Sequence, residues 1–177
     1  GTYGTGQEAG VTIKYDALQL GVYGAERENP TKTNGTTQDA VQDEFNGVWY
    51  VKYSMGPVSI GYSESYLDSG VSETATVGTT TAKTLRTSGG IFEGQQIGIA
   101  FNVNDNLSIS YSESTETYNA QSEAANQDVD QETDAIQVAY SMGGMSIKAY
   151  QMEITNPAMD EDADDSKITE IALGLAF

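Results

Sequence analysis

The chain is 177 residues long and carries 8 Lys+Arg against 26 Asp+Glu, a formal net charge of -18. That balance argues against a nucleic-acid ligand, because phosphate binding needs a basic footprint. With no His and no Cys, disulfides, thiolate metal sites and Ser-His, Cys-His or His-metal chemistry are excluded within this chain. Hydrophobic residues make up only 38%, little for a domain that must bury its own interior. No apolar run approaches the roughly 18 residues of a membrane helix, but a spanning strand needs only about 9–11 alternating residues.

Taken in chain order, the dominant signal is period-2 alternation, the mark of a strand with one apolar face. Residues 1–10 are Gly-rich, match no phosphate loop and lead into no helical pattern; no signal peptide precedes them in this chain. Strands are predicted at 9–16 and 18–27, joined by a tight Asp16-Ala17 turn and followed by a polar loop, 28–42. In the next, 43–55, Phe45, Gly47, Trp49, Val51, Tyr53 and Met55 oppose Glu44, Asn46, Lys52 and Ser54. Gly56-Pro57 turns the chain into 58–68, where Val58, Ile60, Tyr62 and Tyr66 face away from Ser59, Gly61, Ser63 and Ser65. A long loop, 69–90, precedes 91–103, and Asn104-Asp105-Asn106 leads into 107–118. Loop 119–131, Ala/Glu/Gln-rich but without an apolar stripe, precedes 132–142; Gly143-Gly144 joins that strand to 145–155. Loop 156–166 then leads to 167–177, where Ile171, Leu173, Leu175 and Phe177 alternate with Glu170, Ala172, Gly174 and Ala176.

Nine strands whose connections alternate strictly between short and long predict one domain, 1–177, built as an antiparallel up-and-down transmembrane β-barrel. Such barrels have short periplasmic turns and long extracellular loops. The second face, rich in Ser, Gly, Ala and Thr, cannot form a hydrophobic core, so the apolar face is expected to meet lipid. In lipid the sheet must close, since unpaired backbone groups cost several kcal/mol each. Bacterial single-chain barrels have even strand numbers. Nine strands with an extracellular start are therefore expected to be the C-terminal part of a larger barrel whose N-terminal strands are missing here.

An aromatic recurs at nearly the same point before each short turn: Tyr15, Tyr53, Phe101 and Tyr140, with Phe177 at the equivalent point of the last strand. Aromatics at one depth form the girdle expected at a membrane–water interface. Lys14, Lys52 and Lys148 fall on the small-residue face at similar distances from a short turn, and Glu170 falls on the same face. Inside a barrel these are lumen-lining candidates for ion selectivity, because rings of lumenal charge tune permeation. Glu64 and Glu113 continue the apolar register late in their strands and are read as marking the outer headgroup boundary or a subunit interface.

The terminal Ile171-Ala-Leu-Gly-Leu-Ala-Phe177 resembles the assembly signal of outer-membrane barrels. The hairpins Ala139-Tyr-Ser-Met-Gly-Gly-Met-Ser-Ile-Lys148 and Val51-Lys-Tyr-Ser-Met-Gly-Pro-Val-Ser-Ile-Gly61 resemble those of Gram-negative general porins of the alphaproteobacterial type. The resemblance covers residues 8–177 and implies a 16-stranded homotrimer in the outer membrane, conducting ions and small hydrophilic solutes by passive diffusion. It also implies that the barrel-assembly machinery binds the last strand, and that the constricting loop lies in the absent first half.

Asp160, Glu161, Asp162, Asp164 and Asp165 crowd one predicted extracellular loop. Oxygen clusters of this kind suit Ca²⁺, which would bridge the loop to lipopolysaccharide; a solvated charge run is the plainer alternative. No other cofactor and no enzymatic activity is expected. Two alternative architectures are an eight-stranded closed barrel from residues 18–177 serving as anchor or adhesin, and a secreted β-rich surface protein whose apolar faces pack together.

Overall fold

The computed structural model describes residues 5–28, 33–34, 39–40, 43–70, 90–119 and 128–176. Eleven strands occur among them: β1 (Gly6–Tyr15), β2 (Leu18–Arg27), β3 (Thr33–Asn34), β4 (Asp39–Ala40), β5 (Glu44–Met55), β6 (Val58–Asp68), β7 (Ile91–Asn104), β8 (Leu107–Asn119), β9 (Val129–Met142), β10 (Met145–Thr155) and β11 (Ser166–Leu175). All but the β3–β4 pair form one antiparallel sheet, whose order β1-β2-β5-β6-β7-β8-β9-β10-β11 follows the sequence. The nine alternating segments are thus the nine strands of a plain meander. The two-residue β3–β4 ladder, Thr33 opposite Ala40 and Asn34 opposite Asp39, is an addition inside the long loop that alternation could not reveal.

The hairpins turn where the sequence places its tight turns. Gly56 and Gly143 lead their two-residue turns with φ of 55° and 57°, the left-handed start that lets such a turn match the twist of its flanking strands. Asp16 does the same at φ 51°, as Asp tolerates better than most residues. Between β7 and β8 the strand runs on through Asn104, with a bulge between Asn102 and Asn104. The Asn104 side chain accepts from the Asn106 and Leu107 amides at 2.9 and 3.0 Å, so this turn through Asp105 and Asn106 is closed by a side chain.

Register sorts the side chains onto two faces. One cross-strand row runs Tyr15, Leu18, Tyr53, Ile60, Ile99, Tyr111 and Ile136. Next to it, on the opposite face, lies Lys14, Gln19, Lys52, Gly61, Gly98, Ser112 and Ala135. Among the described residues nothing covers the apolar face: Ile99 is 46% exposed and Ile171 74%. An apolar surface of this extent marks contact with lipid or protein rather than water. Packing of apolar faces against one another, the secreted-sandwich alternative, is therefore not what the chain does. The eight-stranded alternative fails on topology, because β2 pairs along its length with β1 (Gly6 opposite Arg27 through Tyr15 opposite Leu18) and not with β11. The sheet is open, with β1 and β11 as its edges.

The buried hydrophobic residues among those described are Phe92, Tyr118, Val129 and Met159. The first three form one row on the small-residue face at the outer ends of β7, β8 and β9. Met159 reaches them from the 3₁₀ turn Pro157–Met159 in the β10–β11 connection. This small core thus joins a loop to the inner wall, which no periodicity in the sequence announced.

Candidate functional site

The polar side chains of the wall stand on the small-residue face. A concavity there is lined by Tyr50, Lys52, Ser63, Gln96, Ser110 and Gln137 among others. Their spacing follows from the strand period, which sends every second residue to the same face. A barrel in lipid turns its apolar face outward and this one inward.

Lys14 and Lys52 occupy one cross-strand row with Gln19 between them. Lys148 stands on the same face between Ala139 and Ala172, four residues along β9 from Ala135 of the Lys14–Lys52 row, and is separated from the other two by several strands. Glu170 lies opposite Tyr150 and accepts its hydroxyl proton at 3.1 Å. All three lysines and Glu170 are exposed. The fold therefore puts these four side chains on one face without gathering them into a cluster.

Beside the Lys14–Lys52 row lie two tyrosines that the alternation pattern did not single out. Tyr23 stands opposite Gly10 and Tyr50 opposite Gly21. Each ring lies over its facing glycine: a Cβ at position 10 would sit 2.1 Å from Tyr23 Cδ1, and one at 21 would sit 2.2 Å from Tyr50 Cε1. The rings are within 9° of parallel, with centroids 6.4 Å apart. Gln19 donates to the Tyr50 hydroxyl at 2.7 Å, and the Tyr23 hydroxyl meets Thr12. The result is a flat aromatic step on the inner wall, bordered by two cations. Its signal in the sequence, Tyr facing Gly across a hairpin, is readable only once register is known.

Gly10→Val is expected to lower stability by about 1–3 kcal/mol, the range for overpacking a filled site. Gly61→Val is expected to be close to neutral, since the atom nearest a Cβ there is a backbone oxygen at 3.7 Å. Urea unfolding of both variants in lipid vesicles checks this, and equal midpoints would mean that the Tyr23 ring is not seated.

On the opposite face, Tyr15, Tyr53, Phe101 and Tyr140 lie near the hairpin turns, and Phe177 lies outside the described residues. Tyr53 and Tyr140 donate to Met55 and Met142 sulfurs at 3.4 and 3.3 Å, so the repeated Tyr-Ser-Met-Gly makes the same local contact twice. At the other limit of the apolar face, Glu64 accepts from Trp49 Nε1 at 2.9 Å and from the Tyr62 hydroxyl at 2.6 Å. Tyr111 donates to Asp134 at 2.6 Å. Amphipathic rings whose polar tips meet carboxylates suit a membrane–water boundary. Glu113 lies in the adjacent row, opposite Ile97 and Asp134.

The acidic run does not gather into a cation cage. Asp160 Oδ1 accepts from the Asp162 amide at 3.0 Å, and the Asp160 carbonyl from the Ala163 amide at 3.1 Å. This turn spreads the carboxylates: Glu161, Asp162, Asp164 and Asp165 are exposed. Among the described residues no three carboxylates converge closely enough to hold a metal ion.

No protein-family model and no curated protein matches the sequence. Solved structures do match the fold. Outer-membrane expressed OmpT of Vibrio cholerae aligns over 96% of this chain and 54% of its own, with a TM-score of 0.51 and 16% identity. An in-vitro folded OmpT, an outer membrane protein of Vibrio cholerae, aligns over 94% and 52%, with a TM-score of 0.50 and 18% identity. The chain thus spans about half the length of the structures it matches. Its nine-stranded meander, uncovered apolar face and aromatic boundaries are those of an outer-membrane β-barrel wall, and the protein is integral to the outer membrane.

Proposed function

We propose that this chain is the C-terminal part of a general porin of the alphaproteobacterial type, a 16-stranded barrel that passes ions and small hydrophilic solutes by diffusion. The observation that carries this reading is the inner wall itself. Around the concavity it bears Ser, Gly, Ala, Gln and Lys beside Tyr50, and its other aromatic residues, Tyr23, Tyr150 and the Phe92–Tyr118 pair, are set apart from one another. A plugged barrel needs bulky side chains that interdigitate across its lumen, and this wall offers few. The protein works as a homotrimer in contact with lipopolysaccharide, its last strand recognised by the barrel-assembly machinery, and it catalyses no reaction.

Single-channel recording of the detergent-extracted protein in a planar bilayer tests the proposal. Large stable steps, grouped in threes for a trimer, are expected. Silence from protein shown to be inserted would refute it.

Lys14, Lys52 and Lys148 supply positive charge to the wall. Replacing all three by Gln is expected to shift the anion-to-cation permeability ratio toward cations by about twofold to fivefold, the Boltzmann weight of roughly one charge contact in water. The reversal potential in a salt gradient measures it. An unmoved potential would mean that these lysines are solvated wall residues without a part in selectivity.

A further inference from the structure

Taking the porin reading as its basis, we infer that the β10–β11 connection is a docked constriction of the outer mouth, with Met159 as the residue that anchors it. The connection leaves β10 after Thr155 and rejoins the sheet at Ser166. A loop between adjacent antiparallel strands has no need to leave their ends. This one crosses the inner side of β9 and sets Met159, 0% exposed, against Val129, Tyr118 and Phe92.

Phe92 lies on β7, three strands from β10, about 14 Å at ordinary strand spacing. The Phe92 and Tyr118 rings, 4.8 Å apart, form the wall that receives the methionine. Two hydrogen bonds fasten the crossing: Asn156 Nδ2 donates to the Asp130 carbonyl at 2.8 Å, and the Ala158 amide donates to Gln131 Oε1 at 2.8 Å. Gln131 belongs to the inner face, in the register of Thr133 and Ala135.

The backbone is held in an unusual shape to make this reach. Asn156, Ala158 and Met159 have φ of 50°, 62° and 58°, values that non-glycine residues seldom adopt. Such conformations persist where the surroundings over-determine them. Here the surroundings are a filled apolar socket and two hydrogen bonds. In a barrel whose apolar face meets lipid, this face lines the lumen, so a loop docked on it occupies space that solutes would otherwise cross. After Met159 the chain passes the exposed carboxylates Glu161, Asp164 and Asp165 before β11 begins at Ser166.

The docked loop therefore narrows the entrance, and its release widens it. The test uses the complete protein in vesicles and bilayers, comparing the parent with Met159→Asp and Tyr118→Ala. Because the chain lacks cysteine, a nitroxide attached through Ala158→Cys reports docking independently of conduction. Either substitution is expected to cut the docked-to-free ratio by about 30-fold or more, as loss of one buried large apolar side chain implies. The nitroxide then becomes mobile, while barrel folding, read by heat-modifiable gel mobility, is retained. Unit conductance is expected to rise, and larger neutral polymers to enter the channel.

A mobile nitroxide in the parent would overturn the docking. A mobile nitroxide in the variants with unchanged conductance and polymer cut-off would overturn the constriction while leaving the porin reading intact. A parent that inserts but does not conduct would sink the porin reading, and the constriction with it, while the nitroxide still reports whether the loop is docked.

Discussion

Ile99→Arg is expected to destabilise the folded barrel by about 2–4 kcal/mol, the cost of a guanidinium on the lipid face near the bilayer midplane. Ile99 lies between Ile60 on β6 and Tyr111 on β8, within the apolar band and well away from the polar residues beyond Tyr62. The matched control is Gln96→Arg, three residues away on the same strand and on the opposite face. There the charge meets water, and a change within about 0.5 kcal/mol is expected. Unfolding in urea from lipid vesicles measures both. Equal costs at the two positions would contradict the assignment of faces on which every other conclusion rests.

Ser112→Pro carries the larger expected effect. Ser112 sits inside β8, opposite Gly98 on β7 and Ala135 on β9. Proline removes the backbone N–H and is confined in sheets to edges, first positions and bulges. A soluble sheet would let water satisfy the stranded carbonyl, but within the bilayer an unsatisfied group costs several kcal/mol. The expected outcome is a barrel that does not assemble, seen as loss of the heat-modifiable band. Ser112→Thr, which keeps the N–H and the β preference, should assemble like the parent. Normal assembly of the proline variant would place β8 outside the bilayer-spanning wall.

How much of this protein can be read without coordinates follows from the reach of each signal. Period-2 alternation is local, so strands such as Val58–Asp68 and Leu107–Asn119 are readable within about a residue, and the turns at Gly56 and Gly143 are visible from composition alone. Where side-chain chemistry fades, so does the boundary: β1 begins at Gly6 rather than residue 9, and β9 at Val129 rather than 132. Gly6, Gln7 and Glu8 offer no alternation, yet pair with Arg27, Glu26 and Ala25 because the ladder is already in register below them. That Tyr15, Tyr53, Phe101 and Tyr140 share one face, and Lys14, Lys52, Lys148 and Glu170 the other, needed only counting from a turn.

What pairing and folding decided lay beyond counting. The tyrosine step requires knowing that position 23 faces 10 and position 50 faces 21, a matter of register between strands. The Trp49–Tyr62–Glu64 contact needs the same knowledge. The acidic run is open to a cation site or a solvated loop in one dimension, and its turn leaves Glu161, Asp162, Asp164 and Asp165 exposed. Met159 had no periodic partner, because its neighbours Phe92, Tyr118 and Val129 lie 30 to 67 positions away in the chain. By itself the sequence determined a meander of strands with one face for lipid and one for water, since backbone period and side-chain polarity act over a few residues. Only the tertiary structure decided that a loop turns back onto the inner wall, since that depends on an apolar socket assembled from three separate strands.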